Sequence, residues 1–125
     1  MAEYAPTVPR FTESVFLVLA WDGDNSAPTR DSELEGHLHY VEKQVDRYLV
    51  CGPLRDPGGA ELIGSFFLVA AESADEAKAL VSEDPYIKSG MYREVVVKEA
   101  IPAGGRLMGG GVIWESAEAV RAAQG

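Results

Sequence analysis

Cysteine is nearly absent from this 125-residue sequence. Cys51 is the only one, so no internal disulfide can form and no cysteine-based zinc site can be built. Positive charge is scarce as well, with 11 Lys and Arg against 20 Asp and Glu and a net charge of -9. Such a surface repels phosphate backbones and anionic lipid, and no basic patch interrupts it, so neither nucleic acid nor a membrane is an expected partner. Long apolar runs are missing too. The longest, Val15 to Trp21, falls far short of the ~20 residues a bilayer span needs. The stretch Met1 to Pro6 has no basic region followed by an apolar one, so it does not read as a secretory signal, and the expected location is the cytoplasm. The sequence holds no Gly-x-Ser-x-Gly elbow and no His-Glu-x-x-His pair. The glycines at 104, 105, 109, 110 and 111 lack the Lys and Ser/Thr of a phosphate loop and the spacing of a dinucleotide fingerprint. No metal and no organic cofactor is expected.

What is present is a soluble globular composition, 46% hydrophobic and 25% charged. The length suits one domain. Residues 1–13, with Pro6 and Pro9, read as an irregular arm. Val15 to Trp21 is a continuous apolar run ended by Asp22-Gly23-Asp24-Asn25, which predicts a strand. A polar loop to about Arg30 precedes a helix start at Asp31-Ser32-Glu33-Leu34, and Leu34, Leu38, Val41 and Val45 form one apolar helical stripe. Tyr48 to Cys51 predicts a second strand, with a turn-rich Gly52 to Gly59 after it. Ile63 to Ala71 predicts a third strand. Ser73-Ala74-Asp75-Glu76 is a capping box for a second helix with Ala77, Leu80 and Val81 inward. Arg93 to Ile101 predicts a fourth strand. The order βαββαβ points to an α+β ferredoxin-like sandwich, one antiparallel sheet with both helices on one face. Residues 102–125 form a short C-terminal extension, Gly-rich at first, with a possible strand at Val112 to Trp114 and a helix in the Ala-rich stretch from Ser116. In the third strand Phe66 and Leu68 point opposite to Phe67 and Val69, so the sheet is apolar on both sides. An uncovered apolar sheet face marks an interaction surface, and two such sheets packed face to face make a homodimer.

Two histidines are the first candidates for chemistry. Measured from the apolar stripe, His37 falls about 70° from its centre, at the border of the helix's apolar face, and His39 about 130° away, beside Glu35 and Glu42. A general acid or base must be partly desolvated and still reachable, which favours His37. Residues i and i+2 do not share a helix face, so a two-histidine metal site is not expected. Asp84 precedes Pro85, the pattern of a helix N-cap, and its carboxylate could also orient a histidine. Tyr86 and Tyr92 flank that turn and could line a pocket.

Several of these pieces together resemble a known family, the YCII-related proteins of the dimeric α/β-barrel superfamily. The resemblance rests on His37-Leu38-His39-Tyr40, Leu49 to Leu54 with its Gly-Pro-Leu, Ile63-Gly64-Ser65, Ser73 to Ala77, and Asp84-Pro85-Tyr86 followed by Ser89-Gly90-Met91-Tyr92. It spans residues 14–101 and leaves the arm and the extension outside. It implies a ferredoxin-like protomer, a homodimer, and a pocket between helices and sheet that takes a small molecule. It further implies an active site of His37 and Asp84, with His39 as the fallback histidine and Ser65, Tyr86 and Tyr92 at the pocket. By analogy with the superfamily the expected activity is cofactor-free proton transfer, as an isomerase, cyclase or eliminating lyase on a small cyclic or carbonyl compound. The alternative is a non-catalytic dimer that binds a small molecule or assists a partner enzyme. A cofactor-free oxygenase is a third reading.

Overall fold

The structure, a computed structural model, describes residues 13–108, 111–112 and 116–124. The arm expected over residues 1–13 therefore lies almost wholly outside the described residues, as do Ile113 and Trp114 of the expected extra strand. The chain divides into two compact units, residues 13–100 and the two ends taken together.

The larger unit runs β1 Val15–Asp22, α1 Ala27–Lys43, β2 Tyr48–Leu54, β3 Gly64–Ala70, α2 Ala74–Ser82, α3 Pro85–Lys88 and β4 Tyr92–Ala100. Its sheet has the order β2-β3-β1-β4, with every neighbouring pair antiparallel. This is the ferredoxin-like α+β arrangement. Phe16, Val18 and Ala20 of β1 pair with Val69, Phe67 and Ser65 of β3 and face the helices. They form the core with Tyr48 of β2 and Ala77, Leu80 and Val81 of α2. The opposite face carries Leu17, Leu19, Trp21, Phe66, Leu68 and Val96, all half-buried. In the smaller unit, β5 Gly104–Gly105 pairs with β6 Gly111–Val112, and α4 Ala117–Gln124 forms the expected tail helix. No helix among the described residues is long and apolar enough to cross a membrane.

Four local expectations are corrected. Helix α1 starts at Ala27, not at Asp31. Pro28 sits in its first turn, where a fixed φ and a missing N–H cost nothing. Of the expected apolar stripe only Val41 packs against the core: Leu34, Leu38 and Val45 are 43%, 54% and 64% exposed, and Arg30 is the helix's only buried residue. Strand β2 continues through Gly52 and Pro53 to Leu54. It is an edge strand, paired only with β3, so a proline there need not donate on its outer side. The capping box is half made. Ser73 Oγ accepts from the Glu76 amide at 3.1 Å, but the Glu76 carboxylate pairs with Arg47 rather than reaching back.

Candidate active site

The inward face of α1 is largely polar, with Val41 its aliphatic contact to the core. Arg30, Glu33, His37, Tyr40 and Gln44 recur at helical spacing and are each buried or half-buried. Arg30 and His37 are two turns apart, so both side chains leave the helix in the same direction.

His37 meets Asp84. Its Nδ1 lies 2.8 Å from both carboxylate oxygens, and the Asp84 side chain is fully buried. Asp84 also caps α3, accepting from the Tyr86 amide at 2.9 Å. One carboxylate thus starts a helix and holds an imidazole. Close approach of α1 and α3 makes this contact possible. A Cβ on Gly36 would come within 3.3 Å of Pro85 Cγ, so glycine gives α3 room to bring Asp84 to the helix. The Tyr86 ring stacks on the His37 ring at 4.0 Å with an interplanar angle of 8°, and Phe67 meets the imidazole edge-on at 6.4 Å. The imidazole is therefore fixed in position and in plane. Nδ1 is engaged, and Nε2 has no hydrogen-bond partner among the described residues.

Arg30 is the second anchor, and the sequence analysis had placed it in a loop. Its Nε donates to Asp22 Oδ2 at 2.8 Å, and its Nη2 to Asp22 Oδ1 at 2.8 Å, to Gly64 O at 2.8 Å and to Ser65 Oγ at 3.1 Å. Ser26, at the head of α1, gives its hydroxyl proton to Asp22 Oδ2 at 2.7 Å. Burial alone would raise the Asp22 carboxyl, but the hydrogen bonds from Arg30 and Ser26 outweigh it and hold the group below its ordinary value of 3.8. The Tyr86 and Tyr92 rings flank the guanidinium at 5.5 and 5.9 Å. The Tyr92 hydroxyl lies 2.7 Å from Ser65 Oγ, and burial pushes its pKa up to about 12.

A cavity of about 300 Å³ opens between α1 and the sheet, walled by Arg30, His37, Cys51, Ser65, Phe67 and Tyr86 among others. It would hold a single small ring compound. A wider cleft of about 1060 Å³ begins beyond the Arg30–Tyr86 wall, over Asp22 and Arg93, and does not reach His37. Burial, and next the charge of Asp84, push the Cys51 thiol up, so it stays protonated. The structure thus brings together His37, Asp84, Tyr86 and Ser65, with Tyr92 joined through Ser65. His39 is exposed and lines neither cavity. Arg30 and Asp22 are the residues that sequence reasoning missed. The signal was the position of Arg30 two turns before His37, which only the true start of α1 makes visible.

A family model described as the YCII-related domain matches residues 14–101. The chain belongs to this family. Protein YciI of Escherichia coli O6:H1 is 33% identical over 91 residues, covering 67% of this chain and 93% of the relative, and Protein YciI of Shigella flexneri matches equally. Among solved structures, 5-chloro-2-hydroxyhydroquinone dehydrochlorinase from Burkholderia phenoliruptrix AC1100, in complex with 2,5-dihydroxybenzoquinone, superposes with a TM-score of 0.64 at 29% identity. The match covers 74% of this chain and 97% of that one. A protein of the same fold is therefore a small-molecule enzyme in that organism.

Proposed function

We propose that this YCII-related protein is a small-molecule enzyme that moves a proton with His37 and Asp84, as an eliminating lyase on a small hydroxylated ring. The observation that carries the reading is the unequal use of the two imidazole nitrogens. Nδ1 is held by a buried carboxylate, and Nε2 is without a partner among the described residues, on a ring that walls a cavity of about 300 Å³. With the proton on Nδ1, the Nε2 lone pair is a general base. It takes a proton from the substrate, and the leaving group departs with its bonding electron pair. Asp84 stabilises the imidazolium, which then returns its proton to water. No oxidant or reductant enters this balance. The same pair would serve an isomerase or cyclase by returning the proton elsewhere on the ring. The likeness to a dehydrochlorinase favours elimination. The working unit is a homodimer, closed through the apolar sheet face that bears Leu19 and Phe66.

Chloride release from 5-chloro-2-hydroxyhydroquinone tests the reading. Wild type is expected to turn the compound over, and His37→Asn to lose about 10²- to 10⁴-fold in kcat. Asp84→Asn should lose activity of that order with little change in melting temperature, because Asn caps a helix as well as Asp. Full kcat in His37→Asn removes the assignment. A wild type that binds the ring compound without turning it over supports the non-catalytic binding module instead.

A further inference from the structure

We propose that Arg30 and Ser65, with Tyr92 behind Ser65, form a cradle for a negatively charged ring oxygen, so that the substrate is bound as a phenolate or enolate and not as a neutral ring. This rests on the proposed acid–base reading and deepens it. The argument is an account of protons. Arg30 carries five N–H donors. Nε and Nη2 are spent on Asp22, Gly64 and Ser65, and Nη1 has no acceptor among the described residues. Ser65 Oγ receives Arg30 Nη2 and shares a 2.7 Å hydrogen bond with the Tyr92 hydroxyl. Tyr92 donates in that bond, so the Ser65 hydroxyl, which lines the cavity, keeps a proton with no acceptor among the described residues. Ser65 is only 4% exposed. Nη1 is accessible rather than sealed in the interior, and Arg30 and Ser65 both wall the cavity of about 300 Å³, so their unused donors suit an acceptor that arrives from outside.

Three features fit that acceptor to an anion. The guanidinium is pinned by its bidentate bonds to Asp22, so Nη1 is presented without further ordering cost. The Tyr92 hydroxyl, raised to about 12 by burial, stays protonated and brings no charge of its own. Donors fixed in a partly desolvated site hold an ionised oxygen far better than a neutral one. Tyr86 touches both halves of the site, lying 5.5 Å from Arg30 Cζ and stacked at 4.0 Å on His37. The cradle and the base therefore share one wall, and a single six-membered ring can present an oxygen to one and a proton to the other. Ionisation of that oxygen also feeds electrons into the ring, which helps expel the leaving group.

The test titrates 2,5-dihydroxybenzoquinone, whose ring hydroxyls ionise, against 2,5-dimethoxybenzoquinone, whose oxygens cannot. Wild type should prefer the ionisable ring, and the preference should grow as pH rises through that ligand's own pKa. Arg30→Lys keeps a charge for Asp22 but loses the second amino group, and Ser65→Ala removes the hydroxyl with little change of volume. Each should weaken the ionisable ring about 10-fold or more, the worth of one charged hydrogen bond, and leave the dimethoxy ring unchanged. Circular dichroism confirms folding, and if Arg30→Lys does not fold, Ser65→Ala decides alone. Equal affinity for the two rings in wild type, no binding of the dihydroxy ring, or unchanged affinity in a folded variant overturns the cradle. The acid–base reading stands or falls separately, on the turnover of His37→Asn.

Discussion

Asp22 and Asp84 show how one residue type takes two roles through its partners. Asp84 accepts from a histidine and a backbone amide. Asp22 accepts from an arginine and a serine, and its carboxyl lies below the ordinary range because these bonds outweigh its burial. A depressed folded-state value means that the Asp22 contribution to stability is complete above the unfolded value, about 3.9, and is lost as pH falls through the folded one. Urea unfolding from pH 7 to pH 2 should therefore show an acid-side loss that is smaller in Asp22→Asn, since that variant has no carboxyl to protonate there. An identical acid limb in the two proteins would remove the pair from the stability account. Asp84 could be read from sequence because Asp before Pro announces a cap. Asp22 could not. It ends an apolar strand in a run of turn residues, and only the fold brings Arg30 to it.

At the scale of the element, α1 explains both what the sequence disclosed and what it concealed. Periodicity located the helix and placed His37 at a border, but it took the apolar stripe for the inward face. The assumption behind that choice is that a helix buries its apolar side. Here Arg30, His37 and Tyr40 occupy the inner side because the site is there, and Leu34 and Leu38 are left at the cavity's rim. The strands were legible because they are short, apolar and bounded by turns. Helix α2 was legible because Ala77, Leu80 and Val81 do point inward. Gly36 costs the helix about 1 kcal/mol of propensity relative to Ala. The approach of Pro85 gives it a function. Gly36→Ala should gain propensity and press α3 away by a few tenths of an ångström, stretching the His37–Asp84 contact. The expected outcome is a fall in kcat of several-fold with a melting temperature unchanged within a few degrees. Unaltered kinetics would show that α3 yields without moving Asp84.

At the scale of the molecule, the sheet has helices on one face and Leu17, Leu19, Trp21, Phe66, Leu68 and Val96 on the other. Light scattering at micromolar concentration should give twice the chain mass of 13.5 kDa. Phe66→Glu should shift the population towards the monomer, and a stable wild-type monomer would refute the dimer. The polar underside of α1 has a consequence for how the molecule breathes. Beside the packing of Tyr40 and Val41 on the core, this helix is fastened to the rest of the unit by a handful of directed bonds, from Arg30 to Asp22 and Gly64, from His37 to Asp84, and from the Tyr40 hydroxyl to the Leu80 carbonyl. Directed bonds release together, and water can replace each of them once it enters. The amides of α1 should then exchange with deuterium through a local opening, ahead of the amides of β1 and β3, whose exchange follows global unfolding. A ligand that fills the cavity binds only the closed form, so it should slow exchange in α1 first. The chemistry written on the inside of this helix is also its latch.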